Sequence, residues 1–419
     1  MKTDFLQKAR ARAEKSGLDC HLVLIHERVG SLRLAHSQIL QPTSTESFFA
    51  YVKLGRGSCV ASGQAEGAPQ WALERAWQEA EALLEHSSGC EQLLLAAPIC
   101  ELAEADLPPL PSPGRASEFV RGQLLGKEEV AGMLQVKSRQ LTVINSLGLL
   151  RTALSTQAHF FLSGNGFAEL VAPSLEELGE AQLDFVASRG EPLALPPGRY
   201  RVLLGPSAAL DLVEGIAHSG FGGREYLEGA SFLPELKILG GDTFTLADNW
   251  QATGGLPFDF EGTTRSCPSL VEGGKTQGPV TDLATARRLG TKSSGHSLPP
   301  WEDSGPLPLN LVLAGGRAED PLASLGDGLY IPRFHYLGLV NPKTATFTGT
   351  IRDCLLVEGG RLQRPVVPLR FTASFLELAQ RIEERGKPTW VPGSWGTNLV
   401  PPLILSCFTF AEEGRKWII

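Results

Sequence analysis

The chain has 419 residues, of which 42% are hydrophobic, so it is long enough to bury a large core. Its formal net charge is −8 and no cluster of Lys and Arg occurs, which argues against the basic surface that nucleic-acid binding needs. No apolar run reaches the about 18 residues of a membrane-spanning helix, and the N-terminal segment has the pattern of a charged amphipathic helix rather than a signal peptide.

The first 190 residues alternate between helical and strand patterns. Predicted helices cover residues 3–16, 69–86 and 126–134, and predicted strands cover 20–28, 31–39, 48–54, 58–63, 140–144 and 149–162. The strands 20–28 and 31–39 are predicted to form a hairpin that turns at Val29 and Gly30. In the helix 69–86, Trp71 and Trp77 are predicted to lie on the apolar side. The Pro-rich connector 107–114 shows neither pattern and predicts a surface crossing.

The segment 191–197 (EPLALPP) is typical of a linker and predicts two domains, residues 1–190 and residues 195–419. Beyond it, strands, Gly and Pro dominate, with helices predicted at 207–218, 281–289 and 371–384, and a mobile Ser-rich loop at 291–308. The predicted fold class is therefore α+β, with an N-terminal antiparallel sheet covered by helices and a β-rich C-terminal domain.

Seven cysteines are scattered through the chain without any C-x-x-C pair. They are residues 20, 59, 90, 100, 267, 354 and 407. This usage favours buried thiols in a reducing compartment over disulfides or metal ligands. We therefore expect a cytoplasmic protein without a cofactor.

The most informative segment runs from Gly205 to Gly229 (GPSAALDLVEGIAHSGFGGREYLEG). It follows an apolar strand at 200–204 and opens a helix whose predicted buried stripe is Leu210, Leu212, Val213 and Ile216. Further short segments follow in a characteristic order at 246–249, 258–262, 270–274, 282–290, 294–296, 328–331 and 341–360. In order and spacing, these segments resemble the TldD/PmbA family, also called modulators of DNA gyrase.

The resemblance implies one of two branches. The TldD branch carries H-E-x-x-x-H in the helix and is a zinc peptidase, whereas the TldE (PmbA) branch lacks the motif and is the partner subunit. Aligned from the shared Gly-Pro, the two His positions fall on Glu214 and Ser219, and the Glu position falls on Gly215. A third ligand of the TldD branch, a Cys, is missing from the corresponding loop 391–399. Zinc hydrolysis needs imidazole or thiolate ligands and a carboxylate base, so the pattern indicates the TldE branch.

Two interpretations remain open for Asp211, Glu214 and His218, which at spacings i, i+3 and i+7 are predicted to share one helix face. One is a relocated metal site, and the other is a solvated or partner-facing helix edge. The second is favoured because no fourth ligand is visible.

Other candidate sites are weaker. His21 and the pair His26–Glu27 lie on a predicted strand, where residues five apart face opposite sides. Cys267 with His296 is a conceivable thiol–imidazole pair, but no G-x-S-x-G or other nucleophile motif supports a hydrolase. The remaining candidates are Asp259 with Glu261, which favours a hydrogen-bonded turn over a catalytic dyad, His335, and Trp390 with Trp395 as part of an interface.

The resemblance implies a non-catalytic subunit of a cytoplasmic metallopeptidase that acts on unfolded or leader peptides. Its expected partner is a TldD-like zinc peptidase subunit, in a heterodimer or higher assembly. Two alternatives stay open: a homodimeric peptide-binding module without a peptidase partner, and a self-sufficient hydrolase with an unrecognised site.

Overall fold

The computed structural model describes residues 3–89, 92–102, 106–127, 129–164, 166–179, 190–393 and 396–411. Helices are combined with several antiparallel sheets, which confirms the predicted α+β fold class. Cys90 and Trp395 lie outside the described residues. No helix within the described ranges is both long enough and apolar enough to cross a membrane.

The N-terminal part is built on one seven-stranded sheet. Its strands are β1 (Asp19–Ala35), β2 (Gln38–Arg56), β3 (Cys59–Glu66), β4 (Cys100–Glu101), β5 (Ala131–Asn145), β6 (Leu150–Ser163) and β7 (Phe167–Ala172). Its helices are α1 (Thr3–Lys15), α2 (Pro69–Glu85), α3 (Pro113–Leu124) and α4 (Leu175–Gly179). The strand order is β3-β2-β1-β5-β6-β4, and β7 also pairs with β6. One face of the sheet packs against α1 and α2 through side chains such as Leu22, Leu24 and Trp77.

The predicted hairpin turn at Val29 and Gly30 is wrong. Strand β1 runs through both residues, pairs with β2 there, and turns only at His36 and Ser37. These two residues have φ values of 48° and 56°, which suits a two-residue hairpin turn but normally calls for Asn or Gly. Glycine at position 30 allows close packing instead, because a Cβ there would lie 3.3 Å from the Cδ1 of Leu110.

Two further predictions in this part are wrong. The described residues of 126–134 form no helix, and β5 begins at Ala131. The helix is α3, which starts within the Pro-rich connector, where Ser112 accepts a hydrogen bond from the Arg115 N–H and Pro113 occupies the first turn. Ser followed by Pro is a helix-start signal that the general Pro content masked. Trp71 does not belong to the buried side of α2, since it is 58% exposed and its ring covers Gly67.

The C-terminal part contains two six-stranded sheets and one three-stranded sheet. Its strands are β8 (Gly198–Leu204), β9 (Leu246–Asp248), β10 (Ser269–Glu272), β11 (Lys275–Thr276), β12 (Leu311–Leu313), β13 (Gly328–Ile331), β14 (His335–Asn341), β15 (Thr346–Ile351), β16 (Leu355–Glu358), β17 (Arg361–Pro365), β18 (Leu369–Ser374), β19 (Ile382–Arg385), β20 (Thr389–Pro392), β21 (Thr397–Val400) and β22 (Leu403–Phe410). Its helices are α5 (Pro206–Gly220), α6 (Gly223–Leu227), α7 (Trp250–Thr253), α8 (Leu283–Leu289), α9 (Pro321–Leu325) and α10 (Phe375–Ala379), with a 3-10 turn at Pro342–Thr344.

The sheets of the C-terminal part have the orders β11-β10-β9-β12-β21-β20, β17-β16-β13-β8-β22-β19 and β14-β15-β18. The predicted helix 371–384 is wrong, because β18, α10 and β19 occupy that range. Residues 369–372 alternate between buried and exposed, as a strand requires, and Ser374 starts the short helix by accepting a hydrogen bond from the Glu377 N–H. The predicted mobile loop 291–308 lacks helices and strands, but its His296 and Leu298 are buried.

The two parts share a hydrophobic core. Val23, Val143 and Leu149, on the sheet face opposite α1 and α2, pack with Phe258 and Phe260 of the C-terminal part. This contact fixes the position of the second part over the sheet. The domain bounds 1–190 and 195–419 stay a prediction.

Candidate functional site

Helix α5 lies at the centre of the C-terminal part. Pro206 occupies its first position, where a missing N–H costs no hydrogen bond, and the helix follows β8 directly. The predicted stripe of Leu210, Leu212, Val213 and Ile216 is fully buried in a cluster with side chains of β8, β12 and β13. The helix is therefore held rigidly.

Gly215 occupies a position where no side chain fits. A Cβ built on it would lie 2.7 Å from the Cδ2 of Phe375 and 2.9 Å from the Cε2 of Phe347. These two rings are stacked, with centroids 4.5 Å apart and planes inclined by 19°. A general base at residue 215 is thus excluded both by the chemistry of glycine and by the packing around it.

Glu214 lies beneath the loop that joins β20 and β21. A Cβ on Gly393 in this loop would collide with the Oε1 of Glu214 and with the Nδ2 of Asn398. Asn398 is fully buried, and its Oδ1 accepts a hydrogen bond of 2.6 Å from the Leu311 N–H. The loop and the helix therefore meet where the resemblance places a zinc site, but the described residues of the segment 391–399 offer the amide of Asn398 and two glycines and no thiolate. Cys407 lies in β22.

Asp211 is largely buried beside Glu214. Burial and, after it, the Glu214 carboxylate raise the pKa of Asp211 to about 7, although a hydrogen bond from the Phe334 N–H opposes the rise. A carboxyl group that binds its proton more tightly in the folded protein than in the unfolded chain destabilises the fold when it is ionised.

This sign gives a testable pH dependence for Asp211→Asn. An unfolded Asp ionises near pH 4, so wild-type stability falls between about pH 4 and about pH 7 by the contribution of this group. We expect the variant to be more stable than wild type at pH 8, by roughly 1–3 kcal/mol, and to lose that advantage near pH 4. Urea unfolding over this pH range measures the difference.

The exposed Asp242→Asn serves as the control for Asp211→Asn, because it removes the same charge from the surface. An Asp211→Asn protein that is less stable than wild type at pH 8 would contradict the assignment of an ionisation cost to Asp211.

In the described structure, Asp211, Glu214 and His218 are not grouped as the ligands of a metal ion would be. The Nε2 of His218 lies 3.1 Å from the carbonyl oxygen of Pro308, which orients the imidazole toward the loop before β12. Among the described residues, no group of three or more His, Cys, Asp and Glu side chains is arranged to hold a metal ion. Ser219, at the second His position of the motif, is buried in the helix. The donor set therefore does not fit zinc.

Glu169 connects the N-terminal part to this helix, and sequence reasoning missed it. One of its oxygens lies 3.0 Å from the Nε2 of His159 on the neighbouring strand β6, and the other accepts a hydrogen bond from the hydroxyl of Ser207 in α5. Its carboxylate also adds to the negative potential at Asp211. The residues are 38 positions apart in sequence, so no local pattern predicts the contact.

A buried polar network lies next to β9. The Nη2 of Arg265 is 2.7 Å from the Oδ1 of Asp248, and its Nη1 is 2.6 Å from the Oδ1 of Asn310. The second oxygen of Asp248 accepts the N–H of Leu309 and lies 3.4 Å from the Nε2 of His296, at the long limit of a hydrogen bond. The side chains of Arg265, Asp248, Asn310 and His296 are each less than a tenth exposed to solvent. This network joins β9 to the segments that carry Arg265 and Asn310. The sequence indicated Asp248 only as part of the family segment 246–249.

The Asp259–Glu261 pair stabilises a turn. Asp259 accepts hydrogen bonds from the N–H groups of Glu261, Thr263 and Ser297, and Glu261 accepts one from the Leu283 N–H. The pKa of Asp259 is raised to about 6, because the effect of burial exceeds the opposing effect of the hydrogen bonds from Ser297 and Thr263. Burial, followed by Asp259, raises the pKa of Glu261 well above its ordinary value.

The remaining candidates are separate. The thiol of Cys267 is exposed, whereas His296 is fully buried with its Nδ1 held by Ser294, so they do not form a catalytic pair. Burial lowers the pKa of His21 to about 4. His26 contacts Glu46 at 2.7 Å and His335 contacts Asp353 at 3.1 Å. Trp390 is half-buried in β20.

A cleft of about 260 Å³ opens between the two parts and extends to the loop above Glu214. One wall is formed by Lys137, Arg139, Ser155 and Gln157, which share a sheet face because Lys137 pairs with Gln157 and Arg139 with Ser155. The Nε2 of Gln157 donates to the Oγ1 of Thr397 at 2.9 Å, and this hydrogen bond joins the two parts at the cleft. The remaining lining consists of the glycines 254, 255, 393 and 396 and of Phe258, Phe260 and other residues beside them.

Comparison with known proteins agrees with this geometry. Residues 197–412 match the model of the PmbA/TldA metallopeptidase C-terminal domain. Fold and family match together define a metallopeptidase-related α+β protein. The chain belongs to the TldD/PmbA family.

Two curated relatives are similar to part of the chain. It is 26% identical over 199 residues to a Metalloprotease TldD homolog from Haemophilus influenzae, covering 45% of this chain and 41% of that protein. It is also 26% identical over 226 residues to a Metalloprotease TldD homolog from Buchnera aphidicola, covering 50% of this chain and 46% of that protein. The match therefore spans less than half the length of each relative.

The crystal structure of TldE from Thermococcus kodakarensis has the same fold. The two structures superpose with a TM-score of 0.80 at 17% sequence identity, covering 97% of this chain and 100% of the other.

Proposed function

We propose that this chain is a non-catalytic, TldE-like subunit of a cytoplasmic TldD/TldE-type zinc metallopeptidase that acts on unfolded or leader peptides. The packing at Gly215 is the observation that carries the proposal. The stacked rings of Phe347 and Phe375 occupy the space that the side chain of a general base at residue 215 would need. A single substitution at residue 215 therefore does not restore the base. A chain that retains the helix but has no room for the base is suited to supporting another subunit.

In this proposal the TldD-like partner supplies the zinc and the base, in a heterodimer or higher assembly. Peptide recognition by strand addition uses backbone hydrogen bonds more than particular side chains, so it suits varied unfolded substrates. This chain would restrict access to the peptidase chamber, because its α5 is packed into the hydrophobic core and would offer no catalytic groups of its own.

Co-purification tests the subunit role. Tagged chain expressed in its native host is expected to retain a protein that carries H-E-x-x-x-H, and zinc measured by plasma mass spectrometry is expected to follow that protein. Glu214→Gln in this chain is expected to leave peptide cleavage by the pair unchanged. The matched control, Glu→Gln within the partner's motif, is expected to abolish cleavage because it removes the base that activates the zinc-bound water.

Other outcomes would assign a different function. A stable homodimer without any such partner would favour the peptide-binding module. Cleavage by the isolated chain that persists after chelation would favour the self-sufficient hydrolase. Stoichiometric zinc bound to the isolated chain would overturn the proposal.

A further inference from the structure

The cleft between the two parts carries an excess of positive charge on its sheet wall. Arg139 forms an ion pair of 2.7 Å with Glu27 of β1, and the Nζ of Lys137 lies 3.9 Å from the same carboxylate oxygen. Two cations thus share one anion. Burial lowers the pKa of Lys137, with Glu27 opposing the change and Arg139 adding to it. A second anion at this wall would relieve the imbalance.

The base of the cleft has an unused hydrogen-bond donor. Arg265 lines the cleft, is only 6% exposed, and directs its Nη atoms to Asp248 and Asn310. Its Nε has no hydrogen-bond partner among the described residues. The nearby carboxylate of Asp259 accepts three backbone N–H groups. Buried donors are normally paired, so this Nε, itself shielded from solvent, is an unsatisfied donor in a residue that lines the cleft.

The opposite wall permits a polypeptide backbone to approach. It is formed by Gly254, Gly255, Gly393 and Gly396, and a Cβ on Gly255 would lie 2.6 Å from the Oδ1 of Asn310. Asn310 thus occupies the Cβ side of Gly255, whereas a Cβ on Gly254 would have no neighbour nearer than 3.9 Å, so the main chain at Gly254 is open to a ligand. Ser155 and Gln157 offer hydroxyl and amide groups across from them, and Phe258 and Phe260 add an apolar surface. Convergent polar groups beside apolar side chains are typical of a ligand site.

We propose that this cleft binds an extended peptide through a carboxylate that Lys137 and Arg139 neutralise. The inference rests on the proposed function in peptide processing, and it adds the class of ligand that this subunit selects. The carboxylate comes either from the peptide C-terminus or from an acidic side chain, and the glycine wall contacts the peptide backbone beside it.

Fluorescence anisotropy on the full isolated chain tests the site. The probes are three labelled, unstructured Ser/Val peptides: one with a free C-terminal carboxylate, one amidated, and one amidated with a Glu near its end. The amidated peptide without Glu is expected to bind about tenfold more weakly than at least one of the others, as expected for loss of a charge-assisted hydrogen bond. Which of the two carboxylate peptides binds identifies the source of the carboxylate.

Variants of opposite effect separate binding from folding. Lys137 is 33% exposed, so Lys137→Gln is expected to fold normally and to weaken carboxylate binding about five- to tenfold. Glu27→Gln removes the competing anion and is expected to tighten binding. The control Arg33→Gln makes the same charge change as Lys137→Gln at an exposed position of the same sheet, and is expected to leave affinity unchanged.

Equal affinity for all three peptides, no binding of any of them, or equal loss in Lys137→Gln and Arg33→Gln would overturn the proposed site. None of these outcomes bears on co-purification with a zinc subunit. Conversely, carboxylate-dependent binding without such a partner would retain the site and reject the subunit role.

Discussion

The variant Gly215→Glu is expected to lose about 4 kcal/mol or more of its free energy of unfolding, and to bind no zinc even when Glu214 and Ser219 are both replaced by His. The new side chain would have to displace the stacked rings of Phe347 and Phe375 and would bury a charge among them. Chemical denaturation measures the stability, and plasma mass spectrometry measures the metal. Stoichiometric zinc in a folded triple variant would show that the site needs only its side chains restored.

Two smaller substitutions isolate the steric contribution. Gly215→Ala is expected to lose about 1–3 kcal/mol because its Cβ meets Phe375, whereas most Gly→Ala changes inside helices stabilise. The matched control is Gly122→Ala in α3, where a Cβ meets no atom within 4 Å, and it is expected to gain about 0.5–1 kcal/mol. Phe375→Leu should partly rescue Gly215→Ala. Equal effects of the two Gly→Ala changes would contradict the packing argument.

The variant Asp248→Ala is expected to lose about 3–5 kcal/mol, since it leaves the guanidinium of Arg265 buried without its ion-pair partner. Burial alone would raise the pKa of Asp248, but His296, Arg265 and the Leu309 N–H together lower it to about 2. The stabilisation from this ionised carboxylate is therefore complete above about pH 4 and is lost as the pH falls toward about 2. Urea unfolding between these pH values is expected to show a shallower acid loss in the variant.

The double variant Asp248→Ala with Arg265→Met separates the missing ion pair from the missing volume. Replacing both charged groups removes the unpaired cation, so we expect the double variant to be more stable than Asp248→Ala alone. If the two changes destabilise additively, the ion pair does not account for the loss.

The sequence predicted those parts of the fold that repeat a local pattern. The buried stripe of α5 follows from Leu210, Leu212, Val213 and Ile216 at helical spacing, and the structure places all four in the core. Local patterns failed where a distant residue determines the backbone. Gly30 resembles a turn residue but lies inside β1, where it pairs with Ser44 of β2 and packs closely against Leu110 from the Pro-rich connector. The predicted helix 371–384 is longer than α10, because charged residues in the flanking strands, Arg370 in β18 and Glu383 and Glu384 in β19, obscure the strand pattern.

The candidate site was predictable only as a set of missing residues. Aligning Glu214, Gly215 and Ser219 with a known motif indicates what the helix lacks, but the rings that fill the space come from residues 347 and 375, far along the chain. Likewise Lys137 and Arg139 belong to an ordinary alternating strand, and their relation to the cleft depends on the C-terminal part facing that strand. Contacts between distant segments carry this information, and no spacing in the sequence records them.

The shared core of Val23, Val143, Leu149, Phe258 and Phe260 makes the two halves of the molecule interdependent. Either half, if transplanted alone into an unrelated protein, would present two aromatic rings or a row of branched aliphatic groups to water, and both surfaces promote aggregation. A chimera made with a related protein must therefore exchange the residues of this shared core together. During evolution, a change of volume on one side requires a compensating change on the other.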